Sequence, residues 1–456
     1  MVDASAAKAS TEGTYRQHFI DVETKMNVTG NRFRVVLAST IGNVLEWYDF
    51  ISFGFLMGIV ARHFFPSSSA ASGLLLASAT FGVSFFARIF GAVVLGVYAD
   101  RVGRKAALFL VMNMMFVSTA LITFCPTYDS IGIWASIIML IARVLQGISA
   151  GGDFGGGTAM LVECAPENRK GFFGSFMLFS QAVAATLASA AGFLVTNLLT
   201  PDQLNNWGWR LPFAVGLIIA PVGIYIRRNI EEPAEFRSAL KTRDRKSFGT
   251  FLAEFRRPIF IGVGLATGVN IVQIFFNVYM PSYAVRELHI TAQSAFLAVT
   301  LAGIARMVTT PGFGVLADHW GRRKTMVYGC TLTTLSVLPC LIWLRASPNF
   351  STLLAVELII NVLAQIVNAA MPTTLAELFP IEVRSQGLSV CFNGAVTLFG
   401  GTTPFIVTWF VSQTGDQLVP GYYATAGMLF SLACAFLIAR KTIQPPEIDV
   451  AQSTSG

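Results

Sequence analysis

The stretch Gly96–Lys105 reads GVYADRVGRK, and it returns in nearly the same form as GVLADHWGRRK at Gly314–Lys324. The second copy begins close to half a chain length after the first, in a chain of 456 residues. Each copy follows one long apolar run and precedes another. A charged hairpin that recurs at half-length between apolar runs indicates that two similar membrane-embedded halves were joined in one chain.

A second repeat supports this division into halves. Glu163–Pro166, followed by Arg169, recurs as Glu377–Pro380, followed by Arg384, at nearly the same spacing. Both repeats keep the same position relative to the apolar runs, as expected for parallel halves related by an axis along the membrane normal. In proteins of that kind the substrate site lies between the halves near the midplane. The pattern therefore predicts alternating access, in which the halves rock about a central site.

The composition is that of a membrane protein. Only 12% of the residues are charged and 54% are hydrophobic, whereas soluble domains are about 25% charged. A helix that spans a bilayer needs about 20 predominantly apolar residues. The sequence contains twelve such runs, near 34–59, 73–99, 106–125, 131–160, 172–197, 211–228, 257–284, 293–316, 325–344, 351–378, 386–411 and 421–440. We therefore predict an all-α integral membrane protein with twelve transmembrane helices in two pseudo-symmetric six-helix bundles.

Basic residues are concentrated in alternate loops, which is the pattern that sets the orientation of membrane proteins. The net charge of +7 is therefore no indication of nucleic-acid binding. The pattern predicts that both termini and the central polar loop are cytoplasmic, in a bacterial inner membrane. The predicted domains are a cytoplasmic tail at 1–30, a six-helix bundle at 31–228, a cytoplasmic linker at 229–256, a second bundle at 257–441 and a cytoplasmic tail at 442–456.

Four further motifs resemble one transporter family. They are GNVLEWYDF at 42–50, WGWRLPF at 207–213, FGGTTP at 399–404 and TGD at 414–416, the last followed by PGYY at 420–423. The loop motif G-x-x-x-D-R-x-G-R-K is similar to the signature of the major facilitator superfamily, and the four motifs resemble its metabolite:proton symporter family. That family contains citrate, α-ketoglutarate, shikimate and proline/betaine carriers. The chain looks most like its citrate and tricarballylate branch.

Two carboxylates in the first apolar run are predicted to couple transport to protons. Glu46 and Asp49 are three residues apart, so they lie on one face of a helix. A charge at the bilayer centre costs about 2.5–3.5 kcal/mol, and a carboxylate in such a site can load and release a proton near neutral pH. The alternative is a permanent ion pair with Arg88 or Arg143. The resemblance implies proton coupling for the acidic pair.

The fourth apolar run holds further candidates. Arg143–Gly147 matches the R-x-x-Q-G pattern of the family, which implies proton linkage or substrate contact for Arg143, and Gln146 shares its helix face. Asp153 stands where members of the family usually have the Glu of a G-G-E motif. The resemblance therefore implies either a proton-coupling role for Asp153 or a structural role as the partner of Arg143.

Arg306, in the eighth apolar run, is predicted to bind a substrate carboxylate, because a guanidinium donates two parallel hydrogen bonds to such a group. The alternative is that Arg306 extends to the membrane interface or pairs with a carboxylate. Polar side chains in the seventh and tenth runs recur at helical spacing, which predicts a substrate-lining face or hydrogen bonds between helices, worth about 0.6 kcal/mol each. The predicted substrate-binding residues are Arg88, Arg143, Gln146, Gln273, Asn277, Tyr279, Arg306, Gln365 and Asn368.

The repeated loop is a predicted gate. Asp100 and Asp318 lie at helix ends beside basic residues, so they can hold those residues and approach a helix N-terminus, whose partial positive charge favours anions. The resemblance implies a conformational latch, and the alternative is that the loops only set the orientation. The predicted gating residues are Gly96, Asp100, Arg101, Gly103, Arg104, Gly314, Asp318, Gly321 and Arg322.

The leading functional prediction is proton symport of a small organic acid, a di- or tricarboxylate such as citrate, tricarballylate or α-ketoglutarate. The predicted partners are the organic anion, protons and the lipid bilayer, and we expect a monomer. One alternative is a proton symporter of a zwitterionic osmolyte such as proline or betaine, or of shikimate. Another is a proton-driven drug exporter.

No enzymatic activity and no cofactor are predicted. GISAG at 147–151 matches the nucleophile elbow of hydrolases, but that elbow needs a preceding strand and this segment lies within an apolar helix. The glycine-rich run 151–157 lacks the Lys and Ser/Thr pair of a phosphate-binding loop. The six cysteines do not have the spacing of a metal site or a disulfide framework.

Overall fold

The computed structural model describes residues 36–37, 39–67, 69–102, 104–218 and 248–438. Most of the predicted linker and both predicted tails lie outside these residues, so the predicted domain boundaries there stay predictions. Within the described residues the chain is helical and contains no strand. The all-α membrane fold is therefore confirmed.

In the described part of the first half we number six helices of the predicted bundle and leave the short turns between them unnumbered. They are α1 (Ser39–Phe55, continuing as Met57–Phe64 after a bend of 67°), α2 (Ala70–Val102), α3 (Arg104–Phe124), α4 (Ile133–Glu163), α5 (Lys170–Leu198) and α6, which is described over 211–218.

The second half repeats this arrangement. Its helices are α7 (Arg256–Glu287), α8 (Ala292–Trp320), α9 (Arg322–Ala346), α10 (Phe350–Glu377), α11 (Arg384–Thr414) and α12 (Val419–Leu437).

Within the described residues, nine helices are long and apolar enough to cross a membrane, or ten when the bent α1 is counted as one span. The apolar part of α3 is shorter, Leu110–Phe124, and the description of α6 stops at residue 218. The count is compatible with the twelve predicted spans. We call the end of the helices that carries Arg169, Arg322 and Arg384 the basic end, and the other end the opposite end.

Two helices of the second half contain a π-helical turn. One is Phe275–Tyr279 in α7, and the other is Val396–Gly400 in α11. Each precedes a proline, Pro281 or Pro404, whose missing N–H leaves the carbonyl four residues earlier without its helical partner. That carbonyl lies inside the π turn in both cases. Such turns are frequent at functional sites, and both lie where the two halves meet.

Glycines let α4 pack closely against α2. A Cβ on Gly147 would overlap the carbonyl oxygen of Ser84, and a Cβ on Gly151 would overlap the backbone around Arg88. Small residues at four-residue spacing allow this approach of two helix backbones. The close packing of α2 on α4 is what brings Arg88 and Arg143 into one region of the first half.

Replacing Gly147 by alanine is expected to lower the melting temperature of the purified protein. The helix gains about 1 kcal/mol of propensity, but the overlap with α2 forces a backbone shift that costs about 1–3 kcal/mol. Gly156→Ala in the same helix is the control, because a Cβ there meets nothing within 4 Å. Equal melting temperatures for the two variants would contradict the close packing.

Candidate functional site

Glu46 and Arg88 form a buried ion pair between α1 and α2. A terminal nitrogen of Arg88 donates to Glu46 Oε1, and both residues are at most 5% exposed. The other terminal nitrogen of Arg88 lies 3.5 Å from Asn393 Oδ1 in α11, and Asn393 in turn donates to the Gly151 carbonyl oxygen at 3.1 Å. The pair therefore lies at the seam between the halves, in the arrangement that the sequence analysis offered as the alternative for Glu46.

Aromatic rings surround the two arginines of the first half. The Arg88 guanidinium carbon lies 5.2 Å from the centre of the Phe50 ring. That of Arg143 lies 4.8 Å from Phe50 and 4.2 Å from Phe53. Rings at this distance attract a cation through their quadrupole. The rings offset part of the cost of burying two guanidinium groups, and sequence reasoning did not anticipate them.

Asp49 has surroundings quite unlike those of Glu46. Thr119 of α3 donates to Asp49 Oδ2, while Oδ1 has no hydrogen-bond partner in the described part of the chain. A cavity of about 20 Å³ adjoins the carboxylate and is also lined by Tyr48, Met112 and Gly216. That volume has room for about one water molecule. The two carboxylates predicted to share a face thus have different partners, Glu46 at the seam and Asp49 inside the first half.

Arg143 and Gln146 lie together in α4, as their spacing predicted. Arg143 donates to Gln146 Oε1, and both side chains are buried. Nε and one terminal nitrogen of Arg143 have no hydrogen-bond partner among the described residues. Asp49 is the carboxylate whose charge acts on Arg143. The backbone of Asp153 begins the last part of α4, but its side chain lies outside the described residues, so its predicted role stays a prediction.

Arg306 of α8 is buried in the second half with no hydrogen-bond partner for any of its three guanidinium nitrogens within the described residues. Its charged neighbour is Glu357 of α10, which is fully buried and accepts a hydrogen bond from Asn361 Nδ2 at 2.7 Å. The sequence analysis missed Glu357. An acidic residue inside an apolar run is the same signal that identified Glu46, so the signal was available.

The polar residues predicted to form one face on α7 and α10 make separate contacts. Gln273 Nε2 lies 3.3 Å from Gln181 Oε1 of α5, across the seam. Asn277 donates to the Gln273 carbonyl oxygen at 3.1 Å. The Tyr279 hydroxyl lies 2.5 Å from Thr408 Oγ1 of α11, within the second half. Gln273 is therefore placed at the seam, while Tyr279 faces its own half. Gln181 was not identified from the sequence.

The two predicted residues of α10 are both buried. Gln365 Oε1 accepts a hydrogen bond from Thr310 of α8 at 3.0 Å. Asn368 Oδ1 has no hydrogen-bond partner in the part of the chain that the structure describes. Gln365 thus joins two helices of one half, and Asn368 keeps an acceptor for a further ligand.

The second copy of the repeated loop bridges the two halves at the basic end. Asp318 of α8 accepts hydrogen bonds from the backbone N–H groups of Gly171 and Phe172, at 2.7 and 2.9 Å, in the first turn of α5. A carboxylate at a helix N-terminus is favoured by the helix dipole. Arg322 pairs with Asp318 at 3.3 Å and with Glu377 at 2.7 Å. These contacts support the latch prediction for this copy.

The structure describes only some of the other predicted gating residues. A Cβ on Gly314 would lie against the Gly171 carbonyl oxygen, so a small residue there permits the contact of α8 with α5. Gly321 ends α8 at a φ of 87°, a backbone conformation that glycine adopts without steric cost. Gly103 and the side chains of Asp100, Arg101 and Arg104 lie outside the described residues. Gly96 lies within α2.

Replacing Asp318 by asparagine is expected to open the basic end. Hydrogen bonds to a charged group contribute about 1.5–3 kcal/mol, so losing the charge should shift the equilibrium at least tenfold. The reporter is a cysteine in place of Thr373, which is buried and donates to the Lys170 carbonyl oxygen across the seam at 3.0 Å. Its alkylation should become at least tenfold faster.

This experiment uses a background in which the six native cysteines are replaced. Asp416→Asn is the matched control, because Asp416 pairs with Arg345 at 3.5 Å at the opposite end. An unchanged alkylation rate in the Asp318 variant, or an equal increase in the control, would exclude the latch.

The two halves are also in contact at the opposite end. Phe55 of α1 packs edge-to-face on Phe296 of α8, with ring centres 5.5 Å apart. Thr300 of α8 donates to Ser189 Oγ of α5 at 3.0 Å. At the basic end, Arg384 of α11 pairs with Glu163 of α4 at 3.1 Å. Among the described residues, contacts between the two halves therefore occur at both ends of the helices.

The buried charges and their contacts indicate what the site can bind. Arg143 and Arg306 each have two or more buried guanidinium nitrogens without a hydrogen-bond partner among the described residues, and they lie in opposite halves. Buried carboxylates accompany both. Such a set can bind an anion and can take up protons. Among the described residues, no group of three or more His, Cys, Asp or Glu side chains could hold a metal ion.

Comparison with known proteins gives concordant results. The family model described as Major Facilitator Superfamily matches residues 39–304 and 270–454. A citrate-proton symporter of Klebsiella pneumoniae is 36% identical over 416 residues, which cover 91% of this chain and 94% of that protein. A putative proline/betaine transporter of Staphylococcus aureus strain COL is 33% identical over 398 residues, 86% of this chain and 85% of that protein.

Solved structures show the same fold. The xylose transporter of E. coli, in a partially occluded inward-open conformation, superposes with a TM-score of 0.71. The match covers 90% of this chain and 97% of that chain at 17% sequence identity. At this identity the likeness concerns the fold alone.

Proposed function

Because the chain belongs to the major facilitator superfamily of membrane transporters, we propose that it is a proton symporter of a small organic acid, with a di- or tricarboxylate as substrate. It is a transporter and not an enzyme. The observation that carries the proposal is the pair of buried arginines, Arg143 and Arg306, in opposite halves. Both have N–H donors without a hydrogen-bond partner in the part of the chain that the structure describes. A substrate with two or more carboxylates offers one anionic group to each.

Electrostatics favour an anionic substrate. A guanidinium binds a carboxylate through two parallel, charge-assisted hydrogen bonds, and an unpaired buried charge is strongly destabilising. A bound polycarboxylate would supply hydrogen-bond acceptors to Arg306 and Arg143 and would reduce the cost of burying these two guanidinium groups. The remaining predicted contacts, among them Gln273 at the seam and Asn368, would orient the substrate.

Protons would enter through the carboxylates of α1. One oxygen of Asp49 has no hydrogen-bond partner among the described residues and lies beside a cavity of the size of one water molecule. This oxygen could bind a proton, and a water molecule in the cavity could deliver it. Protonation of Glu46 would release Arg88 from its ion pair at the seam. Either event would change the charge beside the seam between the two halves. Because the halves move relative to each other at this seam during transport, proton binding would be linked to transport. Asp153 stays a candidate for the same role.

Movement of the halves would alternate access to the site. The contacts of Asp318 with α5 and of Arg384 with Glu163 would break when the basic end opens. We place that end in the cytoplasm, with both chain termini, because cytoplasmic loops of membrane proteins carry an excess of Lys and Arg. We also propose that the transporter is a monomer in a bacterial inner membrane.

Uptake into proteoliposomes tests the proposal. With an inward proton gradient, the protein should accumulate at least one of citrate, tricarballylate, α-ketoglutarate and succinate, and a protonophore should abolish the accumulation. Empty liposomes and the protein without a gradient are the controls. Accumulation of betaine, proline or shikimate, with no di- or tricarboxylate taken up, would refute the assignment.

A zwitterionic osmolyte is the second candidate. A relative named as a putative proline/betaine transporter supports it, and aromatic rings are suited to bind a quaternary ammonium group. The faces of Phe50 and Phe53, however, are already covered by the guanidinium groups of Arg88 and Arg143. A ligand cation would have to displace an arginine, so the geometry favours the organic acid.

A further inference from the structure

Glu357 is a buried acid that the mechanism above does not use. It is the eighth residue of α10 and is 0% exposed. At a rise of about 1.5 Å per residue it lies about 10 Å inside the opposite end of the helix. An isolated carboxylate at such a position is so costly that it pairs with a cation or takes up a proton. Its surroundings determine which of the two occurs.

The neighbours of Glu357 satisfy only one of its oxygens. Asn361, one turn further along α10, donates through Nδ2 to Glu357 Oε2 at 2.7 Å. The same nitrogen also lies 2.9 Å from the Glu357 carbonyl oxygen. Oε1 has no hydrogen-bond partner within the described residues. One oxygen is thus held by the protein, and the other is left for a proton or a ligand.

Charged groups on the surrounding helices leave Arg306 as the counter-charge. The helices packed on α10 are α4, α5, α7, α8, α9 and α11. Lys170, Asp318, Arg322 and Arg384 lie at the basic end of these helices, away from Glu357. Their remaining charged or titratable residues in the described part are Arg143, Glu163, Arg256, Arg257, Tyr279, Tyr283, Arg286, Glu287, Arg306, His319, Arg323, Lys324, Tyr328, Cys330, Cys340, Arg345 and Cys391. Arg306 is the one whose charge acts on Glu357.

Arg306 and Glu357 do not form an ion pair in the described part of the chain. All three guanidinium nitrogens and Glu357 Oε1 lack hydrogen-bond partners. In the first half, by contrast, a buried acid and a buried arginine are joined directly, because Arg88 donates to Glu46. Two opposite charges that are buried on neighbouring helices, with no hydrogen bond between them among the described residues, can each bind a further partner. That partner is either a proton on the acid or an anion on the arginine.

We infer that Glu357 is a proton-binding residue whose protonation makes Arg306 available to the transported anion. When Glu357 holds a proton it is neutral, and the positive charge of Arg306 is free to bind a substrate carboxylate. When Glu357 is ionised it neutralises Arg306 and competes with the anion. This inference rests on the proposed organic-acid substrate, and it names the group that decides when Arg306 binds it.

The consequence is positive coupling between proton and anion within the second half. A proton on Glu357 raises the affinity for the anion, and by thermodynamic linkage the anion raises the affinity for the proton by the same factor. The proton enters from water on the side where the substrate enters and leaves to water on the other side. No covalent bond of the substrate changes. Release of the proton lets Glu357 displace the anion from Arg306.

The test compares Glu357→Gln with the wild type in the binding of citrate. Glutamine has the shape and neutrality of the protonated acid, and its oxygen can still accept from Asn361. In the wild type, citrate affinity should fall at least tenfold from acidic to alkaline pH. In the variant, the high affinity should persist at alkaline pH. The measurement is isothermal titration calorimetry on the full-length protein in lipid nanodiscs.

Two further variants complete the comparison. Glu357→Asp keeps a titratable group and should keep the pH dependence, which a purely structural role of the residue would not require. Glu287→Gln is the control, because Glu287 is a partly buried acid paired with Arg286 at the opposite end, and it should behave as the wild type. An unchanged pH dependence in Glu357→Gln would overturn the inference.

An infrared measurement separates this inference from the proposed substrate. Without any substrate, the wild type should show a carboxylic-acid C=O band that titrates with pH, and Glu357→Gln should lack one such band. The absence of any difference would overturn the inference whatever is transported. A missing band, in a protein that accumulates none of the organic acids, would support the proton site while refuting the substrate class.

Discussion

Replacing Arg306 by lysine is expected to weaken citrate binding about 100-fold. Lysine keeps the positive charge but cannot donate two parallel hydrogen bonds to one carboxylate. Loss of one charge-assisted hydrogen bond costs about 1.5–3 kcal/mol, and every 1.4 kcal/mol is about a tenfold change in affinity. The measurement is calorimetric titration of the purified protein with citrate, together with the KM for uptake into proteoliposomes.

Arg345→Lys is the control for this prediction. Arg345 is half exposed and pairs with Asp416 at 3.5 Å at the opposite end, so its substitution should leave affinity and uptake unchanged. The structure gives a reason to choose lysine over alanine at position 306, since alanine would leave Glu357 without its counter-charge. Preserved citrate affinity in Arg306→Lys would remove Arg306 from the substrate site.

Replacing Asp49 by asparagine is expected to uncouple transport from the proton gradient. Asparagine retains an oxygen for the hydrogen bond from Thr119 but cannot release a proton. One pH unit acting on one proton corresponds to about 1.36 kcal/mol, or a tenfold gradient of substrate. The variant should therefore lose about tenfold in accumulation per pH unit, while exchange of labelled for unlabelled substrate continues.

Asp129→Asn is the matched control for Asp49, because Asp129 is an exposed acid in a short helical turn between α3 and α4. Exchange and accumulation are measured in the same liposome preparation, so a folding defect would lower both. If Asp49→Asn accumulates substrate as the wild type does, proton coupling must reside on another carboxylate. Glu46, Asp153 and Glu357 are then the remaining candidates.

The two halves hold their buried charges in different ways. In the first half, Arg88 is bound to Glu46, and Arg143 is held by Gln146 and by aromatic rings. In the described part of the second half, no hydrogen bond joins Arg306 and Glu357. A bound substrate anion would therefore stabilise the buried charges of the second half more than those of the first. The two copies of the repeated loop also differ, because His319 occupies in the second copy the position that Arg101 has in the first.

Some features of the site could be predicted from the sequence because they are local. Arg143 and Gln146 share a helix face at a spacing of three, and they are hydrogen-bonded to each other. Glu46 and Asp49 have the same spacing, yet their carboxylates reach different partners. A difference of three residues turns a side chain by about 60° around the helix, which follows from 3.6 residues per turn. Which neighbour lies in each direction depends on how α2 and α3 pack on α1.

Other functional residues are visible in the sequence, but the sequence alone does not distinguish them from other residues of the same type. Glu357 stands in an apolar run, but one acid among many candidates gains meaning only when Arg306 is found beside it. Gln181 and Gln273 meet across the seam although 92 positions separate them. The rings of Phe50 and Phe53 could not be distinguished from the other aromatic residues of a chain with 38 phenylalanines.

The sequence by itself determined that the chain is helical, embedded in a membrane and built from two similar halves. Run length, charge content and internal repetition suffice for this, because a bilayer requires each span to be apolar and to satisfy its own backbone hydrogen bonds. Only the tertiary structure decided which buried charges are paired. The free energy of a buried charge depends on partners within a few ångströms, and those partners come from helices that are distant in the chain. For the same reason, only the folded chain showed that Asp318 accepts hydrogen bonds from the first turn of α5 in the other half, and that the Arg306 guanidinium has no hydrogen-bond partner among the described residues.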